Sequence, residues 1–306
     1  MAPHQSANAV VMIRPHRFFS NPETAADNAF QRDTATEDSV KVSQRAQKEF
    51  DEAVASLRAA GVIVHVFDDT ATPEKPDAIF PNNWFSTHED GRIVLYPMYS
   101  PARRRERRSD IIDALRKNYR VTEVVDYSDY ETRGCFLEGT GSLVLDHPNR
   151  IAYVSLSKRS DPELVRKFCA DFGYDSVVFE SASSDGRRIY HTNVMLCVGS
   201  NFALAGLEMI TESTARKKVR DRLEATGKEV IELSRDQIEN FAGNALELRG
   251  AKGNVLVLSE RAAANLSTDQ RTTIEKEATL LPLSLPTIEL AGGSARCMLA
   301  EIFLPI

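Results

Sequence analysis

The chain has 306 residues, of which 42% are hydrophobic and 27% charged, and its formal net charge is −6. This composition is ordinary for a globular protein, and the negative charge argues against partners such as nucleic acid or an anionic membrane, which attract basic surfaces. No apolar run approaches the roughly 20 residues that span a bilayer, and we expect no signal peptide at the polar start of the sequence.

Strand-like apolar runs alternate with helical periodicity in the first half of the chain. Val42, Ala46 and Phe50 recur at helical spacing, and Gly61 follows as a helix-terminating residue. We predict strands at 10–13, 62–67, 93–98, 121–125 and 142–146, and helices at 34–60 and 109–119.

The second half repeats this alternation. Asp161 is well placed as an N-cap, with Pro162 in the first turn of a helix. We predict helices at 161–172, 212–226, 235–241 and 268–278, and strands at 151–156, 177–180, 193–198, 202–207, 230–233, 245–248, 255–259, 279–283 and 298–304. No Pro/Gly-rich linker divides the chain, so we predict a single domain over residues 1–306. A doubly wound nucleotide-binding fold is disfavoured, because no phosphate-binding glycine motif follows a predicted strand.

The cysteines Cys135, Cys169, Cys197 and Cys297 are far apart and show no CxxC spacing. This spacing disfavours a disulfide framework and a zinc site, so we predict reduced thiols in a cytoplasmic protein and no metal. A single cysteine, with a histidine and a carboxylate elsewhere in the chain, is a candidate nucleophile.

Three segments contain the residues for such chemistry. Gly292 and Gly293 precede Cys297, and glycines let backbone N–H groups approach a substrate closely. His191 stands at the entrance to an apolar strand, and Glu138 precedes a glycine at another strand entrance, where a carboxylate could orient an imidazole. Taken singly, each also fits a structural role: a buried cysteine, a histidine bonded to local backbone, and a turn acid.

A fourth segment contains Asp77 and the run Phe80-Pro81-Asn82-Asn83-Trp84. Adjacent asparagines are frequent in turns, and a tryptophan is more often a core residue than a ligand platform.

Together and in this order, these segments resemble the guanidine-modifying (pentein) superfamily, which includes arginine deiminases, dimethylarginine hydrolases and amidinotransferases. The resemblance covers nearly the whole chain. It implies an α/β fold, a five-bladed propeller with pseudo-fivefold symmetry, and it makes the segment 80–84 the first active-site strand. It also implies that Cys297 is the nucleophile, His191 the acid/base and Glu138 its acidic partner.

The resemblance further implies how an amino-acid substrate is held. Arg159 matches an arginine that grips the α-carboxylate in dimethylarginine hydrolases, and Arg103 matches a second arginine of that group. A bidentate arginine suits a carboxylate well. Neither a metal nor an organic cofactor is required. The sequence leaves open whether the chain forms a homo-oligomer.

This chain departs from the family pattern at positions where other members have a charged carboxylate and it has a neutral amide. Members that act on arginine present carboxylates where this chain has Asn82 and Asn83, and deiminases have an aspartate where it has Asn193. A buried guanidinium without a carboxylate would be an unpaired charge, whereas a neutral ureido group matches an amide. We therefore predict hydrolysis of L-citrulline, as in the branch of citrulline-utilising hydrolases that the sequence resembles most. Asp77 and Glu138 remain as acids that can pair with a guanidinium, so an arginine deiminase or a dimethylarginine hydrolase is the first alternative. The alternative from another class is a non-catalytic binding protein of the same fold.

Overall fold

The structure, a computed structural model, describes residues 4–32 and 38–306. In this part of the chain the strands form five sheets of three strands each. The strands are β1 (Ala9–Arg14), β2 (Ile63–Asp68), β3 (Phe85–Thr87), β4 (Arg92–Leu95), β5 (Glu123–Asp126), β6 (Val144–Asp146), β7 (Ile151–Ser155), β8 (Asp175–Phe179), β9 (Leu196–Val198), β10 (Phe202–Ala205), β11 (Glu229–Glu232), β12 (Leu246–Gly250), β13 (Gly253–Ser259), β14 (Thr279–Leu283) and β15 (Ala300–Glu301).

All five sheets share one connectivity. In the sheet β3–β4–β5, the middle strand pairs antiparallel with β3 and parallel with β5. A parallel pair needs a crossover connection, and in each sheet a helical segment supplies it. The helices are α1 (Ser39–Ala59), α2 (Pro101–Arg104), α3 (Ser109–Asn118), α4 (Gly139–Ser142), α5 (Pro162–Phe172), α6 (Ser213–Ala225), α7 (Arg235–Glu239), α8 (Glu260–Asn265) and α9 (Thr268–Glu275).

The two ends of the chain meet in one sheet. β15 pairs antiparallel with β1, where Val10 lies opposite Glu301, and β1 pairs parallel with β2. The last strand therefore takes the place that β3, β6, β9 and β12 take in the other sheets. This closure brings Cys297, three residues before β15, beside the first half of the chain.

The crossover helices pack their apolar faces against the sheets. In α5 the buried side chains include Leu164, Val165 and Phe168, and the predicted N-cap Asp161 accepts hydrogen bonds from the backbone of the first turn. Burial of such a face supplies most of the stability of a surface helix. Among the described residues, no helix is both long and apolar enough to cross a membrane.

Most predicted elements are present, and the α/β propeller class is confirmed, since five sheets of one topology repeat along the chain. The predicted helix 34–60 corresponds to α1, although 34–37 lie outside the described residues. The short elements β3, α2, α4 and α8 were not predicted. Each has six residues or fewer, which is too short for hydrophobic periodicity to be distinctive.

The predictions fail at one recurrent place, immediately before the first strand of a sheet. The segment 80–84 is not a strand, because Pro81–Asn83 forms a 3₁₀ turn. The predicted strands at 142–146, 193–198 and 298–304 likewise begin too early, since tight turns occupy their first residues or precede them. A strand alternates its side chains between two faces, whereas a turn can direct neighbouring polar groups to one place. These turns position the candidate site.

Candidate active site

The turns before β3, β9 and β15 contribute to the wall of a small cavity of about 20 Å³. Its walls include six of the predicted site residues, namely Asp77, Asn83, Arg103, Arg159, His191 and Cys297. Glu138 and Asn193 lie behind this wall, in contact with His191 and Cys297 respectively. The free space holds about one water molecule, and the polar groups that converge on it suit a polar ligand that replaces that water.

Glu138 and His191 form a buried hydrogen-bonded pair. His191 Nε2 lies 2.8 Å from Glu138 Oε2, and the other carboxylate oxygen accepts a hydrogen bond from the backbone N–H of Tyr99 at 3.0 Å. Since an ionised carboxylate can only accept, Nε2 must carry the proton and Nδ1 is the free basic nitrogen of a neutral ring. The geometry therefore determines the tautomer of His191.

The surrounding charges set the protonation of this pair. Burial would raise the pKa of Glu138, but the charge of Arg159, the hydrogen bond from His191 and the charge of Arg103 outweigh it and hold that pKa well below its ordinary value. Burial lowers the pKa of His191 to about 4, although Glu138 opposes this shift. At neutral pH the pair is therefore a carboxylate beside a neutral imidazole, which is able to accept a proton.

Cys297 lies in the turn Ala295–Met298 and is buried. Two side-chain amides face its sulfur: Asn244 Nδ2 at 3.2 Å and Asn193 Nδ2 at 3.5 Å. His191 lines the same cavity as Cys297, so one ligand can contact both the sulfur and the imidazole.

Arg103 is a buried site residue and does not belong to the exposed basic surface. Its Nε and Nη2 donate to the two carboxylate oxygens of Glu106, each at 2.9 Å, and Nη1 donates to Asn83 Oδ1 at 2.7 Å. Nη2 also reaches the carbonyl of Phe80 at 3.3 Å. A guanidinium with these partners is largely committed to the protein, so it positions Asn83 and is not free to grip a substrate.

Burial also affects the pKa values of Arg103 and its partner Glu106. It raises the pKa of Glu106 to about 7, against the lowering effect of the Arg103 charge. The charges of Glu106 and Asp77 hold the pKa of Arg103 above its ordinary value, although burial alone would lower it. Arg103 is therefore permanently cationic.

Arg159 lines the cavity and already holds a carboxylate. Its Nη2 and Nε donate to Asp27 at 2.7 and 3.3 Å, and its Nη1 lies 3.5 Å from Glu138. Asp27 belongs to the segment between β1 and α1, so Arg159 is paired with a carboxylate of the chain itself. Asp77, on the same cavity, accepts a hydrogen bond from Asn21 Nδ2 at 2.7 Å.

The structure does not bring Asn82 to the cavity wall. Its amide is completely buried and finds no hydrogen-bond partner within residues 4–32 and 38–306, while its backbone carbonyl accepts from Thr140 at 3.4 Å. The adjacent Asn83 is the asparagine that faces the cavity.

Sequence reasoning missed Asn244, Glu106 and Asp27, and each contacts a predicted site residue. A usable signal existed for Asn244, because a Gly-Asn pair ends two residues before β12, as Asn82-Asn83 end two residues before β3. No comparable pattern identified Glu106 within its arginine-rich run, or Asp27 in a segment without periodicity.

Comparison with known proteins shows the family of the chain and its fold. Residues 14–304 match the protein family described as N,N dimethylarginine dimethylhydrolase, eukaryotic. No curated protein sequence matches the chain.

Among solved structures, the N-terminal domain of ArgZ, an arginine dihydrolase of the ornithine-ammonia cycle in Cyanobacteria, superposes with a TM-score of 0.73 at 16% identity, covering 97% of this chain and 99% of that domain. AgrE in complex with L-arginine gives 0.75 at 15% identity, covering 97% of this chain and 40% of AgrE. A dimethylarginine dimethylaminohydrolase adduct with S-methyl-L-thiocitrulline gives 0.66 at 13%, covering 96% of this chain and 99% of that one. These likenesses show a common pentein fold.

Proposed function

This chain belongs to the N,N dimethylarginine dimethylhydrolase family, and on that premise we propose that it hydrolyses the ureido group of L-citrulline to ornithine, ammonia and carbon dioxide. The family makes it a cysteine-dependent hydrolase of carbon–nitrogen bonds other than peptide bonds. The choice of citrulline within that class is our proposal.

The observation that supports citrulline is the orientation of the Asn83 amide. A guanidinium can only donate, so the atom 2.7 Å from Arg103 Nη1 must be the amide oxygen of Asn83. The amide nitrogen then faces away from Arg103 and is a buried donor with no hydrogen-bond partner among the described residues. A ureido group offers this donor a carbonyl oxygen, whereas a guanidinium offers only further N–H groups.

The remaining site residues suit the α-ammonium and α-carboxylate groups of an amino acid. Asp77 presents a carboxylate that can receive an α-ammonium group. Arg159 can receive the α-carboxylate in place of Asp27, whose side chain is 18% exposed and which belongs to a segment that lines the cavity through Thr24 and Asn28.

The proposed reaction uses one water molecule. Sγ of Cys297 attacks the ureido carbon, and the thiol proton passes to Nδ1 of His191. One C–N bond breaks, the departing nitrogen takes that proton, and a thiocarbamoyl group remains on the sulfur. Water then attacks the same carbon and gives a proton to Nδ1 of His191, the C–S bond breaks, and His191 passes that proton to the sulfur. The released carbamic acid decomposes to an amine and carbon dioxide. Glu138 keeps the imidazole in the required tautomer throughout.

A cationic guanidino substrate, arginine or a methylated arginine, is the second candidate. Among the described residues, three carboxylates, Asp27, Asp77 and Glu138, lie near the two guanidinium groups of Arg103 and Arg159, and Glu106, with its pKa raised by burial to about 7, is a fourth, partly ionised acid. This excess of acidic groups would favour a bound cation.

The test is product release from purified protein given L-citrulline, L-arginine and N,N-dimethylarginine in parallel, with ammonia, ornithine and dimethylamine measured. We expect turnover of citrulline and none by Cys297→Ala, which removes only the nucleophile. Turnover of arginine or its methylated form without citrulline turnover would refute the substrate assignment. Undiminished activity of Cys297→Ala would refute the nucleophile.

Two further proposals concern the whole molecule. We propose that residues 1–306 form one catalytic domain, because pairing of β15 with β1 makes the last strand part of the first sheet. We also propose a cytoplasmic location, since all four cysteines are free thiols, as is usual in a reducing compartment.

A further inference from the structure

We propose that Asn244 is a catalytic residue whose side-chain N–H stabilises the thiolate form of Cys297, both in the resting site and when the thiol proton passes to His191 during attack. This inference depends on the proposed cysteine chemistry but not on which ureido or guanidino compound is the substrate.

The geometry identifies the contacting atom as a donor. Asn244 Nδ2 lies 3.0 Å from the backbone carbonyl oxygen of Asn193 and 3.2 Å from Cys297 Sγ. A carbonyl oxygen can only accept, so the atom facing it must be the amide nitrogen. One N–H is then committed to Asn193 and the other is left for the sulfur. Asn244 is completely buried, which holds this arrangement in place.

An N–H donor distinguishes the two states of the sulfur. A neutral thiol is a weak acceptor, whereas a thiolate forms a charge-assisted hydrogen bond of roughly twice the strength. Buried in a site with little water, such a bond favours the state that attacks carbon. The nearby imidazole cannot serve this purpose in the resting enzyme, because His191 donates to Glu138 and is neutral.

The repeat of the fold supports the same conclusion. Asn244 precedes β12 by two residues, as Asn83 precedes β3, and the turns before β6, β9 and β15 provide Glu138, His191 and Cys297. Four of the five turns thus contribute a residue of the proposed mechanism. Asn244 is the corresponding contribution of the fifth.

Alkylation of Cys297 by iodoacetamide, without substrate, tests the proposal in a Cys135→Ser background that removes the most accessible other thiol. Rates are measured at pH 7 and at pH 10, where an ordinary thiol is largely ionised. The charged and titratable groups around the cavity, Asp77, Arg103, Arg159, Tyr190 and His191, are common to all the variants compared.

We expect Asn244→Ala to slow alkylation at pH 7 at least tenfold and to leave the rate at pH 10 within about twofold. Asn244→Ser retains a shorter hydroxyl donor and should lie between wild type and Asn244→Ala. The matched control is Asn240→Ala, in the same segment but bonded to Asp236 and Arg261, which should alkylate like wild type.

Equal slowing at both pH values would overturn the proposal, because it would show that Asn244 only shapes the turn. An unchanged rate at pH 7 would overturn it as well. If Asn244→Ala does not fold, Asn244→Ser decides by the same comparison, with a slowing of at least threefold confined to pH 7 expected. Failure of the substrate assignment appears separately, as a lack of citrulline turnover in a protein whose Cys297 still alkylates in this pattern.

Discussion

Replacement of Asn83 by aspartate tests the link between one amide and the choice of substrate. The substitution keeps the shape of the side chain and the oxygen that accepts from Arg103 Nη1 at 2.7 Å, so the fold should be unaffected. It replaces the unpaired Nδ2 donor by a second acceptor.

The expected magnitude follows from the role of that donor. Removing one hydrogen-bond donor from a developing oxyanion typically costs about 2.7–4 kcal/mol, or 10²- to 10³-fold in rate. We therefore expect kcat/KM for citrulline to fall by about two orders of magnitude in Asn83→Asp. Arginine turnover should rise by about tenfold or more from its wild-type level, because a charge-assisted bond to a guanidinium contributes roughly 1.5–3 kcal/mol and Arg103 shares the new charge.

The assay is steady-state ammonia and ornithine release with each substrate, on protein whose thermal unfolding matches wild type. Asn118→Asp, a change of the same chemistry on an exposed helical residue, is the control and should alter neither activity. If Asn83→Asp retained full citrulline activity, the argument from the unpaired amide would be refuted.

Three other predictions concern the same site. Gly141→Ala should reduce kcat at least tenfold with little loss of fold, because its Cβ would lie 2.4 Å from Asn83 Nδ2 and 2.8 Å from His191 Nδ1; unchanged kinetics would contradict the placement of this turn. The acid limb of kcat/KM should have its midpoint near pH 4, not 6.5, because the reaction begins with neutral His191, whose pKa is about 4. A midpoint near 6.5 would show that the histidine is solvated. Glu106→Gln should lower the free energy of unfolding by about 1–3 kcal/mol in urea titrations, less than the 3–5 kcal/mol typical of a broken buried pair, because two other carboxylates lie 3.7 Å from Arg103. A loss above 4 kcal/mol would mean that those carboxylates do not share its charge.

The pH dependence of stability follows from the same pKa shift. For His191 the folded-state pKa is about 4 and the ordinary value 6.5, so between these pH values the unfolded chain binds the extra proton. The contribution of His191 to stability therefore falls as the pH decreases from 6.5 to 4.

The sequence by itself determined the α/β class, the alternation of strands and crossover helices, and the residue types of the chemistry. Apolar periodicity and caps such as Asp161 are local, so they can be recognised without knowledge of distant partners. The order of Glu138, His191 and Cys297 along the chain was likewise sufficient to indicate a family.

Tertiary structure decided which of these residues meet, and how. The sulfur of Cys297 meets the amide of Asn244, and Arg159 meets Asp27, across 53 and 132 residues of chain respectively. Arg103 proved to be a buried partner of Asn83, which its position in an arginine-rich run did not indicate. Such contacts exist because the closure of β15 onto β1 and the tight turns before each first strand direct side chains to the cavity or to the residues that line it. Hydrophobic periodicity reports which face of an element is buried, but it contains no information on the partner that a polar side chain will find there.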